Sequence, residues 1–202
     1  MEDLRTRRLL LRRFVPDDAP FVLELLNEPS FHRHIGDKGV RTLDDARDYL
    51  RGGPMEMYAR HGLGLLLVGR VDDGSSAAAD DPAGGFRRVR PLEPVGMCGL
   101  LQRPDFDAPD LGFAFLERHQ RRGFGLESSV AVLDDARRRM NLGRVLAVTS
   151  RDNTGSIALL ERLGFRFERD VRFGEEAAAD EGRLFALDLA RKATVESPES
   201  PE

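Results

Sequence analysis

The stretch from Asp110 to Met140 limits what this chain can fold into. Asp110 to Leu116 (DLGFAFL) is apolar and aromatic, the pattern of a strand. Glu117 to Arg122 is polar. From Gly123 to about Met140 the apolar residues recur at helical spacing, which places Leu126, Val130, Leu133 and Met140 on one predicted face. A strand that feeds through a short polar turn into a long amphipathic helix needs a layered fold, with helices covering a sheet.

The flanking sequence repeats that alternation. Downstream, Arg144 to Thr149 reads as a strand and Asn153 to Leu163 as a helix, with Gly164 at its C′ position. Phe165 to Phe173 and Arg183 to Leu189 are two further strands, separated by an acidic, Ala-rich loop. Upstream, Arg7 to Phe14 is a strand whose leucines run together. Pro16-Asp17-Asp18 starts a helix through Phe21 to Leu26. Asn27 to Gly39 reads as a loop. Thr42-Leu43-Asp44-Asp45 resembles a capping box with Asp45 in the place of Glu, and Gly52-Gly53-Pro54 interrupts the helix it opens. A short helix to about Arg60 follows. Leu63 to Val71 and Pro94 to Leu101 read as antiparallel strands joined by an elongated loop. The predicted order is β-α-α-β-β-β-α-β-α-β-β, an α/β (α+β) architecture.

A chain of 202 residues suits one domain. Its formal charge of −4 supplies no overall basic field for nucleic acid. Cys98 is the only cysteine, so neither an intrachain disulfide nor a Cys-based metal site can be built, and no metal is expected. No apolar run reaches the length of a signal peptide or a membrane span. A cytoplasmic protein without membrane partners is expected. Residues 72–91, rich in Asp, Gly, Ala, Ser and Pro, read as a flexible insertion, and 191–202 as a disordered tail.

The chemistry concentrates in Gln120-Arg121-Arg122-Gly123-Phe124-Gly125. Backbone N–H groups at a helix start lack intrahelical partners, and the helix dipole is positive there. Glycines let the backbone close around an anion, and two arginines add charge. A dinucleotide fingerprint needs Gly or Ala at position 128, which is Ser128. A P-loop needs Gly-Lys-Ser/Thr, which is absent. On these residues alone, a pyrophosphate cradle and a turn that merely starts a helix both stay open.

Two spaced blocks carry a resemblance. Gln120 to Gly125 matches Q/R-x-x-G-x-G/A, and Asn153 to Phe165 resembles N-x-x-[AS]-x-x-L-[YL]-x-x-x-G-F; both are signatures of the GNAT N-acetyltransferase superfamily. The order of elements over residues 5 to 190 is also similar to a single GNAT domain, a mixed, mostly antiparallel sheet of about six to seven strands flanked by about four helices. Arg8-Leu9-Leu10-Leu11-Arg12 and Asp110-Leu111-Gly112-Phe113 look like the branch of Rim-type ribosomal-protein N-terminal acetyltransferases.

The resemblance implies acetyl-CoA as cosubstrate and an amine acceptor, a peptide N-terminus or a small amine. It implies that Gln120, Arg121, Arg122, Gly123, Phe124 and Gly125 hold the pyrophosphate. Backbone near Phe115 and Leu116 pairs with the pantetheine arm and offers an N–H to the thioester oxygen. Asn153 contacts the arm, and Ser156 lies near the sulfur. Asp110 sits where the family often places a Glu that takes the amine proton through water; a solvent-exposed Asp at a strand start is the alternative. Many members carry at the place of Leu160 a Tyr that protonates the leaving thiolate. Leu160 cannot, which leaves Ser156 or a water. Transfer is expected by direct attack in a ternary complex, with Cys98 a buried structural thiol. An acyl-CoA-binding module with little or no transferase activity is the competing expectation. A homodimer is open, being common in the family.

Overall fold

The computed structural model describes residues 2–71, 92–173 and 180–189. The predicted insertion 72–91, the predicted tail and most of the acidic loop lie outside those residues. The strands are β1 (Leu4–Arg5), β2 (Leu9–Arg13), β3 (Leu65–Arg70), β4 (Glu93–Leu101), β5 (Asp110–Phe115), β6 (Arg144–Ser150), β7 (Arg166–Phe173) and β8 (Asp180–Asp188). The helices are α1 (Ala19–Leu26), α2 (Pro29–His34), α3 (Leu43–Leu50), α4 (Glu56–His61), α5 (Phe124–Arg138) and α6 (Thr154–Arg162). One sheet takes all eight strands in the order β1-β2-β3-β4-β5-β6-β8-β7. Every neighbouring pair is antiparallel except β5–β6. The expected mixed, mostly antiparallel α/β architecture is therefore present, with somewhat more strands and helices than expected.

The sheet's period of two sorts its side chains into two cores. Leu9, Leu11, Leu66, Val68, Cys98, Leu100 and Leu111 face α5 and α6. Leu65, Leu67, Met97 and Ala114 face α1 and α3. The leucine run of β2 thus resolves into an alternation, with Leu9 and Leu11 fully buried and Leu10 partly so. Each such fully buried leucine contributes roughly 1.5–3 kcal/mol.

Local signals acted mostly as read. Asp45 N–H donates to Thr42 Oγ1 at 3.1 Å, and Thr42 N–H to Asp45 Oδ2 at 2.8 Å, so the capping box closes with Asp. Gly164 takes φ +90° after α6, where Phe165 N–H donates to the Leu160 carbonyl and Gly164 N–H to that of Glu161. That is the Schellman arrangement.

Four readings need correction. Residues 27–39 are not all loop, because Pro29 starts α2 and Phe31 anchors it in the core. Gly52-Gly53-Pro54 does not break the chain's helical course; a π turn, Arg51–Met55, links α3 to α4 and buries Pro54. β1 pairs with β2 through only two residues, too few to leave a periodic signal. On α5, Val130 is 52 % exposed. Of the predicted face, Leu133 is buried and Met140 packs against the core, and the buried stripe also takes in Phe124, Ser128, Val132 and Ala136, with Ser128 Oγ donating back to the Phe124 carbonyl at 2.8 Å. Small residues let that helix sit close on the sheet.

Candidate active site

The one parallel pair is also the weakest seam. The register between β5 and β6 consists of Asp110 opposite Leu146, reinforced by Leu146 N–H donating to the Pro109 carbonyl. Beyond it the strands splay. A cleft of about 850 Å³ opens there, lined by β5, the 120–126 turn and the start of α6. Backbone direction alternates along an antiparallel strand, and Leu116 N–H donates to the Val95 carbonyl within β4. The amides of Phe113 and Phe115 therefore point away from β4, into the splay. This corrects one detail of the sequence reading. The Leu116 N–H is spent in the sheet and its side chain is fully buried, so it cannot serve as the donor to a thioester oxygen.

At the mouth of the splay, α5 begins at Gly123, φ +80°, with no side-chain cap. Arg121 is also left-handed, φ +58°. Two left-handed residues flanking Arg122 gather successive N–H groups into a concavity suited to an anion. Holding a non-glycine residue in that region costs roughly 1–2 kcal/mol. Gln120, Arg121, Gly123, Phe124 and Gly125 all line the cleft. Arg122 does not; its carbonyl accepts from Arg8 Nη1 at 3.1 Å. Gln120 Nε2 donates to the Phe115 carbonyl at 3.0 Å and so ties the turn to β5. A Cβ on Gly125 would stand 3.1 Å from Leu159 Cδ2 and 3.6 Å from Phe115 Cε2, so this glycine lets α5 approach α6 and β5. An uncapped helix start of this length, beside two arginines, fits a pyrophosphate.

Opposite the turn, α6 brings Asn153 and Ser156 to the cleft wall. Asn153 Oδ1 accepts from Ser156 N–H at 3.1 Å, the N-cap of α6, and its amide NH₂ is the part left to meet a ligand. Leu160 reaches the cleft but is 1 % exposed and wholly apolar. Cys98 is fully buried with its thiol pushed up to about 11 by that burial, which suits a structural role.

Asp110 lies at the vertex of the splay and is 1 % exposed, so it is not a surface aspartate. Burial raises its carboxyl to about 6, against the pull of Arg103. Arg103 Nε stands 3.1 Å from Asp110 Oδ1 without the alignment of a hydrogen bond. Asp110 does not itself line the cleft; Arg103 does, and it also lines an adjoining cavity of about 420 Å³ beside Glu56 and His61.

Arg103 was invisible to sequence reasoning. It sits in the loop between β4 and β5, and only their pairing brings it to Asp110, seven residues on. Phe31 and Tyr49 both line the cleft, beside Leu65, Met97 and Gly112. His34 lines it too, while Tyr58 is a core residue whose hydroxyl donates to the Leu65 carbonyl. His119 is 5 % exposed and borders the cleft, 3.5 Å from Glu93. Among the described residues, no cluster of His, Cys, Asp or Glu could hold a metal, and no helix is long and apolar enough to cross a membrane.

A sheet parted at a parallel seam, with an uncapped helix start at the mouth, offers a cleft shaped for a long anionic ligand. Comparison with known proteins narrows that class. The family described as an acetyltransferase (GNAT) domain matches residues 8–166, and the chain belongs to it. It is accordingly an acetyl-CoA-dependent acyltransferase. An uncharacterized N-acetyltransferase, p20, of Bacillus licheniformis is 24% identical over 186 residues, covering 91% of this chain and 92% of that one. The acetyltransferase of Salmonella typhimurium that modifies the N-terminal serine of 50S ribosomal subunit protein L7/L12 superimposes with a TM-score of 0.71 at 18% identity, over 94% of this chain and 100% of that chain. The spermidine N-acetyltransferase of Vibrio cholerae, solved with CoA and spermine, gives 0.68 at 14% identity, over 91% and 97%.

Proposed function

We propose that this chain moves an acetyl group from acetyl-CoA to a primary amine by direct attack in a ternary complex, and that the acceptor is a protein N-terminus. The observation that carries the reading is the splayed β5–β6 seam with the uncapped start of α5 at its mouth. The cosubstrate supplies an activated acetyl thioester. Backbone amides from Arg121 to Gly125 hold its pyrophosphate, the Gln120 amide being spent on the Glu117 carbonyl, and the Phe113 and Phe115 amides orient its arm and polarise the thioester oxygen. Asn153 steadies the arm from the opposite wall, and Ser156, on the same wall, donates a proton to the departing thiolate.

The acceptor enters from the side of Phe31, Tyr49 and Gly112. An apolar channel there strips water from the amine and favours its neutral form. Asp110, with a carboxyl near 6, is ionised at neutral pH and acts as general base through water beside Arg103. The adjoining cavity past Arg103, which gives room for a chain behind the amine, supports a peptide over a compact amine.

Coenzyme A release measured over a panel of peptides and small amines tests the proposal. Peptides with free N-termini should react, and N-blocked ones should not. Asp110→Asn should lower the maximal rate about 100-fold or more while leaving acetyl-CoA affinity intact; an unchanged pH–rate profile removes Asp110 from the mechanism. The buried Leu160, which cannot protonate a thiolate, favours one competing reading: a module that holds acyl-CoA and transfers little. Tight acetyl-CoA binding without thiol release to any amine would establish it.

A further inference from the structure

One side chain outside the cleft contacts the cofactor turn at Arg122 and Phe124 and fills the space beside Gly123. Arg8 lies in the tight connection from β1 to β2. Its Nη1 donates to the Arg122 carbonyl at 3.1 Å. Its Nη2 would stand 3.3 Å from a Cβ at Gly123. Its guanidinium carbon lies 4.9 Å from the centre of the Phe124 ring. The guanidinium is itself fixed by Glu127, one turn into α5. Arg8 Nε donates to Glu127 Oε2 at 2.7 Å, and Arg8 N–H to Oε1 at 3.0 Å. Thr6 Oγ1 donates to the same Oε1 at 2.5 Å. Glu127 is left 18 % exposed and Arg8 33 %.

The consequence follows from the planar trans peptide, in which C=O and the next N–H point in opposite directions. Arg8 holds the Arg122 carbonyl on the outer side of the turn. The Gly123 N–H is thereby held on the other side, that of the cleft. We infer that Arg8 is a positioning residue for the acetyl-CoA site: it orients the Gly123 amide toward the pyrophosphate without touching the cosubstrate. Glu127 balances its charge and fixes its fork. Without this grip the left-handed pair Arg121 and Gly123 has no outer restraint, and the free turn spends most of its time with that peptide turned otherwise. Lysine cannot replace it, because a single ammonium cannot hold Glu127, the Arg122 carbonyl and the Phe124 face together.

This inference rests on the assignment of the turn as the pyrophosphate cradle, so the experiment separates the two. Acetyl-CoA affinity by calorimetry and steady-state kinetics are measured for wild type, Arg8→Met, Arg8→Lys, Glu127→Gln, Gly123→Glu and, as a control in the same strand region, Arg12→Met. Arg8→Met and Arg8→Lys should weaken acetyl-CoA binding and raise its KM about 10-fold, with kcat at saturation and the acceptor KM within about twofold. Glu127→Gln should show a smaller rise in the same direction, and it serves if Arg8→Met does not fold. Arg12→Met should leave all three unchanged. If Gly123→Glu abolishes binding while the Arg8 variants bind as wild type does, the positioning role is overturned and the cradle stands. If Gly123→Glu also binds normally, the cradle itself falls. A parallel loss in kcat and both KM values would mark general damage and overturn the role as well.

Discussion

Asp110 shows how burial changes what a carboxylate does. Its carboxyl titrates near 6 when folded, against 3.8 for the ordinary group. Between those values the native state holds the proton more tightly than the unfolded chain, so stability falls as pH rises from about 4 to 6 and then levels off. A shift of this size is on the order of 3 kcal/mol. Urea unfolding from pH 4 to 8 should show that slope, and Asp110→Asn should flatten it; an equal slope in the variant would assign the pH dependence to other groups. Arg121 illustrates the complementary case, strain in the backbone. Replacing it by glycine relieves a left-handed non-glycine residue and should stabilise the fold by up to about 1 kcal/mol, read as a higher Tm. The same change removes a charge beside the cradle, so acetyl-CoA affinity should fall while stability rises.

At the scale of elements, two caps look alike and differ in purpose. Thr42 closes α3 with a reciprocal box, and Asn153 closes α6 with one hydrogen bond. Alanine at either position should cost about 1 kcal/mol in unfolding free energy. Only Asn153→Ala should also weaken acetyl-CoA binding, because only that cap stands in the cleft wall. Calorimetry on both variants checks this, and equal affinities would make Asn153 a structural cap alone. Elements also mark where sequence signals were ambiguous. The capping box and the Gly164 stop were legible because each is completed within a few residues. α2 was not, since its six residues give too short a period and its helix depends on Phe31 finding the core. The face of α5 was misread for a related reason. Ser128 and Ser129 are buried, and a periodic search for apolar residues passes over small polar ones that pack against a sheet.

For the whole molecule, ligand linkage offers the broadest check. A ligand that binds only the folded state at 100 times its Kd stabilises by about 2.7 kcal/mol. Acetyl-CoA should therefore raise the Tm by several degrees, desulfo analogues that keep the pyrophosphate should do nearly as much, and Gly123→Glu should erase the effect. A wild-type shift in that variant would place the pyrophosphate elsewhere. The sequence by itself determined the order of the longer strands and helices, though not the short β1 and α2, through local periodicity, and it determined the family through two blocks about thirty residues apart, Gln120 to Gly125 and Asn153 to Phe165. It also determined that Leu160 cannot act as an acid. Only the tertiary structure decided that the Leu116 amide is spent on Val95, that Asp110 is buried against Arg103, and that Arg8 reaches across to the turn. Those facts depend on register and on contacts between residues as much as 119 apart. Pairing and packing set them, and neither leaves a periodic mark in the chain.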